Sequence, residues 1–113
     1  MFKKLKLYVL EKISRDIQEY EITMEELKER QLNGAVIVDV RSAQEYEEGH
    51  LDGSINIPYY DIDENVNRLL KNKEQEIILY CEIGSRSKKA YKRLKKLNYK
   101  NVYNLYGGIQ NWL

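Results

Sequence analysis

The fold is decided by the stretch Ile77-Ile78-Leu79-Tyr80-Cys81-Glu82-Ile83-Gly84-Ser85-Arg86-Ser87. Its apolar first part is typical of a strand that is buried on both faces of a parallel sheet. A short loop follows, and a lysine-rich helical pattern begins directly after it. A strand that passes into a helix in this way places Cys81 beside the amide hydrogens of the helix N-terminus. The stretch therefore predicts a strand–loop–helix unit that presents a cysteine to an anion-binding position.

Three features of this loop favour the thiolate form of Cys81. The partial positive charge of a helix N-terminus stabilises an anion, and Gly84 lets the loop backbone curl around the sulfur. Arg86 adds a cation whose planar guanidinium suits oxyanions. The alternative is a buried and inert cysteine, since free cysteine is among the most buried residue types. The placement favours a nucleophile whose sulfur is open to solvent and faces a bowl of anion size.

Helices and strands alternate along the chain on both sides of this unit. Two capping boxes, formed by Thr23 with Glu26 and by Ser42 with Glu45, mark the beginnings of helices. The predicted elements are helices over residues 23–33, 42–49, 61–70 and 87–97 and strands over 35–38, 53–58, 76–80 and 102–105, with a helical turn that ends at Trp112. This alternation predicts an α/β fold with a mostly parallel central sheet flanked by helices on both faces.

Residues 1–19 are predicted to form an N-terminal amphipathic helix, separate from a domain of residues 20–113. One narrow apolar stripe is formed by Phe2, Leu5, Val9, Ile13 and Ile17. This stripe can pack on the domain or on a second copy of the chain, and the second arrangement would make a homodimer. A helix that lies on a membrane surface is the weaker alternative, because acidic residues are mixed into the polar face.

Composition excludes several classes of protein. The chain has 113 residues with a net charge of +1, which suits one soluble domain and gives no general attraction to nucleic acid. Its one cysteine cannot form an internal disulfide, and with one histidine it provides no zinc ligand set, so no metal or cofactor is expected. No apolar run approaches the length of a membrane span. We therefore expect a cytoplasmic location.

Three stretches of the sequence match signatures of one family. The first comprises residues 37–41, 45–46 and 49–58, the second is the loop of residues 81–87, and the third is the segment of residues 106–112. In this order and spacing they resemble the single-domain rhodaneses, which are sulfurtransferases. The resemblance covers residues 20–113 and implies a rhodanese-like fold.

The resemblance also implies a mechanism of sulfur transfer. Cys81 would attack a small anionic sulfur donor such as thiosulfate and hold the sulfur as a persulfide. The substrate would be bound by the rest of the loop, namely Glu82, Ile83, Gly84, Ser85, Arg86 and Ser87. Because the chain has no second cysteine, an external thiol or a protein must accept the sulfur.

Two other functions are compatible with the same fold. A non-catalytic interaction module would keep the fold and the anion bowl without turnover. A phosphatase or arsenate reductase is less favoured, since those relatives have five residues between cysteine and arginine and this chain has four. Glu82 would also place a negative charge beside a phosphate.

Several other residues are assigned supporting roles. We expect Asp39 to form a hydrogen bond with the loop backbone, to orient Arg41 or to cap the helix at Ser42. Arg41 is expected to pair with Glu45 or another acid and so hold two loops together, and contact with the substrate is the alternative. The resemblance implies a structural role for His50 rather than that of a base. The basic residues of the segment 88–100 form either a solvated helix face or a surface that steers anions and docks an acidic acceptor.

Overall fold

The computed structural model describes residues 18–112, which form a five-stranded parallel sheet in the order β1-β5-β4-β2-β3. Along the chain the elements are β1 (Glu21–Ile22), α1 (Met24–Leu32), β2 (Val36–Asp39), α2 (Ala43–Glu48), β3 (Ile55–Asn56), α3 (Ile62–Leu69), β4 (Glu76–Tyr80), α4 (Ser85–Lys96) and β5 (Asn101–Leu105). Short 3₁₀ helices cover Tyr59–Asp61 and Ile109–Trp112. The predicted α/β fold with a parallel sheet is confirmed.

Strand β4 lies at the centre of the sheet, which explains its apolar sequence. Ile77 is in register with Val36 of β2 and Val102 of β5, so both edges of β4 are hydrogen-bonded to neighbours. Its side chains alternate between two apolar clusters on opposite faces. Ile77 and Leu79 pack with α3 and α4, whereas Ile78 and Tyr80 pack with α1. The prediction of helices on both faces is therefore confirmed.

The helix boundaries follow the local signals with one correction. Both predicted capping boxes are present, because the Thr23 and Ser42 side chains accept hydrogen bonds from the amides of Glu26 and Glu45. Helix α4 begins at Ser85, two residues earlier than predicted. Gly84 precedes it in the left-handed conformation with φ of 99°, so the chain turns into the helix immediately after the loop.

The N-terminal predictions fall largely outside the described residues. The predicted amphipathic helix covers residues 1–19, and residues 1–17 lie outside the described part of the chain. Glu19 and Tyr20 form a turn. The short strand β1, which follows this turn and pairs with β5, was not predicted. The division at residues 19 and 20 stays a prediction. Within residues 18–112, none of the helices has the length and apolar character that crossing a bilayer requires.

Candidate active site

Cys81 follows directly after the central strand β4 and before the first turn of α4. Its Sγ accepts hydrogen bonds from the amides of Gly84, over 3.0 Å, and Ser87, over 3.3 Å. The Ser87 hydroxyl lies 3.4 Å from the sulfur and itself donates to the Gly84 carbonyl oxygen over 3.1 Å. The first turn of a helix leaves its leading amides without helical partners, so these donors are free to serve the sulfur. The predicted cluster of amide hydrogens around Cys81 is thus present.

The exposure of Cys81 differs from the prediction. The residue is 0% exposed and belongs to the apolar cluster between the sheet and α4, with Ala90 and Leu94. The sulfur is covered because the loop amides contact Sγ itself and leave no open bowl above it. The expectation of a solvent-open sulfur was therefore wrong for this state of the protein.

The segment after β5 supports the loop, a relationship that sequence analysis missed. The amide of Ile109 donates to the Cys81 carbonyl oxygen over 2.9 Å, and that of Gln110 to the Glu82 carbonyl oxygen over 3.0 Å. Gly108 has a φ of 75°, and a Cβ atom on it would lie 2.7 Å from the Ile83 amide nitrogen. Only glycine allows this approach of two backbones. The glycine pair at 107–108 was the available signal, but it does not reveal its contact partner.

The sequence indicated that Arg86 would face an anion-binding site, but its guanidinium is engaged elsewhere. Its guanidinium makes a bidentate ion pair with Glu45 of α2, over 2.7 and 3.0 Å. The hydrogen bond from Arg86 is the main reason why the pKa of Glu45 is lowered to about 2. The pair ties the first turn of α4 to α2.

Asp39 and Arg41 form a second ion pair beside the loop. The buried Asp39 carboxylate accepts hydrogen bonds from the Arg41 amide over 2.8 Å and from its guanidinium over 2.7 to 3.1 Å. These hydrogen bonds raise the pKa of Arg41. Arg41 also reaches Glu82 over 3.4 Å, so it joins the end of β2 to the cysteine loop. The ion pair between two loops was expected, but its acids are Asp39 and Glu82 and not Glu45.

The remaining predicted loop residues face outward. Ile83 is 63% exposed, and Ser85 is also exposed. Glu82 is half-buried, and its carboxylate borders a cleft of about 490 Å³ beside the loop. Five charged or titratable side chains line this cleft: Arg41, Glu45, Glu48, His50 and Glu82. Of the loop residues 81–87, Glu82 borders this cleft, whereas the Cys81 sulfur is buried.

His50 lies in this cleft as a surface residue engaged with α2. Its ring stacks on Tyr46 at a centroid distance of 3.7 Å, and Nδ1 lies 2.7 Å from the Tyr46 carbonyl oxygen. The hydrogen bonds of Cys81 Sγ come from Gly84 and Ser87 instead. This geometry agrees with a structural role for His50.

Part of the basic surface of α4 is neutralised. Lys88 lies 3.9 Å from the buried carboxylate of Glu21, and Arg93 makes an ion pair with Asp63. Lys89 and Lys92 are exposed. The surface is therefore a mixture of paired and solvated cations.

Comparison with known proteins places these features in a family. The profile of the family described as Rhodanese-like domain matches residues 23–113. The putative sulfur carrier protein YrkF of Bacillus subtilis is 37% identical over 76 residues, which make up 67% of this chain. The chain spans only 40% of the length of YrkF, and 29% and 25% of the lengths of two other curated relatives.

Solved structures agree with this match. A rhodanese-like domain protein from Staphylococcus aureus has a TM-score of 0.72 and is 32% identical, with 82% of this chain and 90% of that chain covered. The human single-domain sulfurtransferase TSTD1 has a TM-score of 0.73 over 84% of this chain and 96% of its own, and at 23% identity it shows a likeness of fold alone. With its parallel sheet and its cysteine loop at the end of the central strand, this chain belongs to the rhodanese-like domain family.

Proposed function

We propose that the protein is a sulfurtransferase that carries a sulfane sulfur on Cys81 from a thiosulfate-type donor to an external acceptor. The observation that supports this most is the pair of amide hydrogens that Gly84 and Ser87 direct at the sulfur, over 3.0 and 3.3 Å. Hydrogen bonds to sulfur from a helix N-terminus favour the thiolate, which is the nucleophilic form. The relationship to a putative sulfur carrier agrees with this chemistry.

The loading step is a displacement at sulfur. The Cys81 thiolate attacks the sulfane sulfur of thiosulfate, and a bond forms between Sγ and that sulfur. The sulfur–sulfur bond of the donor breaks, and sulfite leaves with its electron pair. The product is a Cys81 persulfide anion, and the three negative charges of the reactants are conserved as one on the persulfide and two on sulfite.

Loading requires the loop to change, because the amides contact Sγ itself in this structure. The outer sulfur would occupy a position one sulfur–sulfur bond further out, ~2.0 Å from Sγ. The amides of Gly84 and Ser87 must therefore move outward and can then stabilise the charge on the outer sulfur. Residues 82 and 83 are held by the backbone of Gly108, so we expect the movement in residues 84–87.

Unloading needs a partner that brings its own nucleophile. An acceptor thiolate or cyanide attacks the outer sulfur, the persulfide bond breaks, and the Cys81 thiolate leaves with the electron pair. The chain has one cysteine, so no internal thiol can take the sulfur. The acceptor is therefore an external thiol or a protein, and the reaction is a two-step covalent transfer.

A non-catalytic interaction module is the second candidate, and two observations favour it. The Cys81 side chain is buried, and Arg86 is engaged by Glu45 rather than left free for an anion. Such a module would bind its partner equally well when Cys81 is replaced by alanine.

Steady-state transfer of sulfur from thiosulfate to cyanide tests the proposal. We expect turnover in the wild-type protein, loss of turnover in Cys81→Ala and near loss in Cys81→Ser, with circular dichroism showing that both variants are folded. Rates that are equal in the wild type and Cys81→Ala would contradict the proposal. Hydrolysis of an aryl phosphate or reduction of arsenate at a higher rate than sulfur transfer would favour the phosphatase or reductase alternative.

A further inference from the structure

Both arginines beside the cysteine loop are occupied by carboxylates. Arg86 holds Glu45 in a bidentate pair over 2.7 and 3.0 Å, and Arg41 holds Asp39 over 2.7 Å and Glu82 over 3.4 Å. The hydrogen bond to Glu45 is the main reason why the pKa of Arg86 is raised. The cations that could attract an anionic donor are therefore already paired.

The charged side chains of the cleft beside the loop do not favour a donor with two negative charges. Among the charged side chains that line the cleft beside the loop, Arg41 provides one positive charge, whereas Glu45 and Glu82 provide two negative ones. Glu48 adds another carboxylate to the wall of the same cleft. A dianion such as thiosulfate has to approach this excess of negative charge, and the repulsion grows with the charge that the donor carries.

We propose that Glu45 and Glu82 are specificity-determining residues that disfavour doubly charged donors. The preferred donor is then a sulfane compound with a single negative charge, of the thiosulfonate class. The inference rests on the proposed sulfur transfer and narrows its substrate class. Glu45 acts by engaging Arg86, whereas Glu82 acts by its own half-exposed carboxylate and by its contact with Arg41.

Methanethiosulfonate is a suitable probe, because a methyl group replaces one charged oxygen of thiosulfate. The Cys81 thiolate attacks its sulfane sulfur and forms the same persulfide. The bond between the sulfane sulfur and the sulfonyl sulfur breaks, and methanesulfinate leaves with the electron pair. The two negative charges of the reactants are conserved as one on the persulfide and one on methanesulfinate.

The experiment compares kcat/KM for methanethiosulfonate and for thiosulfate, with cyanide as the acceptor. We use the wild type, Glu45→Gln, Glu82→Gln and the control Glu47→Gln. Glu47 is an exposed residue of α2 outside the cleft, so its replacement removes the same net charge without altering either ion pair. Glutamine at position 45 can still complete the capping box with Ser42, which protects the fold of α2.

We expect the wild type to prefer methanethiosulfonate. In Glu45→Gln and Glu82→Gln, kcat/KM for thiosulfate should rise about three- to tenfold through a lower KM, while that for methanethiosulfonate changes less. Glu47→Gln should keep the wild-type ratio. Salt should reduce the difference between the two donors.

The outcomes separate this inference from the proposed function. Transfer from both donors with the same ratio in all four proteins, or a wild type that prefers thiosulfate, would overturn the role of Glu45 and Glu82 and leave sulfur transfer intact. Failure of both donors to react with the wild type would overturn the proposed function and this inference together.

Discussion

Gly108 and Glu82 lie in direct backbone contact, although they are far apart in the sequence. A Cβ atom on Gly108 would overlap the Glu82 carbonyl oxygen and carbon, and the Gly108 backbone has a φ of 75°. The hydrogen bonds from Ile109 and Gln110 to the carbonyl oxygens of Cys81 and Glu82 continue this contact. The turn after β5 therefore fixes the first half of the cysteine loop, and the shape of the loop depends on the last strand of the sheet.

Replacement of Gly108 by alanine should disrupt the loop as well as destabilise the fold. The added Cβ collides with backbone rather than with a flexible side chain, so the loop must move. We expect sulfur transfer to be lost, together with a clear decrease in the urea midpoint.

The matched control is Gly34→Ala, because Gly34 also has a positive φ, of 101°, but has nothing within 4 Å of the added Cβ. The control should lose only about 1–2 kcal/mol in the free energy of unfolding, because alanine is strained in the left-handed conformation, and it should keep its activity. Equal loss of activity in the two variants would contradict the supporting role of Gly108.

The buried pair of Asp39 and Arg41 should contribute strongly to stability. Arg41 is only 7% exposed at its side chain, so replacing Asp39 by asparagine leaves a buried guanidinium without its main counter-charge. We expect a loss of about 3 kcal/mol or more in the free energy of unfolding, measured in urea. Asp63→Asn breaks the exposed pair with Arg93 and should change stability little. A similarly small loss of stability in both variants would contradict a large contribution of the Asp39–Arg41 pair to the free energy of unfolding.

The Glu45–Arg86 pair predicts a pH dependence of stability. The pKa of Glu45 is lowered from 4.5 to about 2 in the folded protein, mainly by the hydrogen bond from Arg86. A group whose pKa is lower in the folded state stabilises the fold above its unfolded pKa, and this contribution is lost as pH falls through the folded value. The stability difference between the wild type and Glu45→Gln should therefore be largest above about pH 4.5 and shrink toward pH 2. Thermal unfolding across this range measures it, with Glu47→Gln as the control. A difference that does not change with pH would contradict the ion pair.

The Ser87 hydroxyl should position the sulfur without being indispensable. It is buried between Cys81 Sγ and the Gly84 carbonyl oxygen, at 3.4 and 3.1 Å. Ser87→Ala removes these contacts but keeps the backbone amide on the sulfur, so we expect the rate of persulfide loading to fall about fivefold. Glu29→Ala changes an exposed residue of α1 outside the cysteine loop and should load at the wild-type rate. An unchanged rate in Ser87→Ala would assign its hydroxyl a purely structural role.

Local sequence signals predicted the elements of the fold, because each depends on neighbouring residues. The capping boxes at Thr23 and Ser42 and the apolar run of residues 77–80 are of this kind. The order of the elements then placed Cys81 at the carboxyl end of a parallel strand and before a helix, where the structure has it.

Contacts between distant segments account for what sequence analysis missed. The pair of Arg86 with Glu45 joins residues that are 41 positions apart, and the pattern around Arg86 does not specify its partner. The burial of Cys81 depends on how tightly the loop closes on the sulfur, which the contact of Gly108 with the loop helps to set. The two-residue strand β1 is too short to give a periodic signal in the sequence. It is defined by its parallel pairing with the edge of β5, a contact between distant segments.

Intact-mass analysis after incubation with thiosulfate tests most directly whether Cys81 is a nucleophile that carries sulfur. We predict a mass gain of one sulfur atom on the wild-type protein, its loss on addition of cyanide, and no gain in folded Cys81→Ser. An unchanged mass after incubation with thiosulfate and also after incubation with methanethiosulfonate, or the same gain in Cys81→Ser, would contradict sulfur transfer by Cys81.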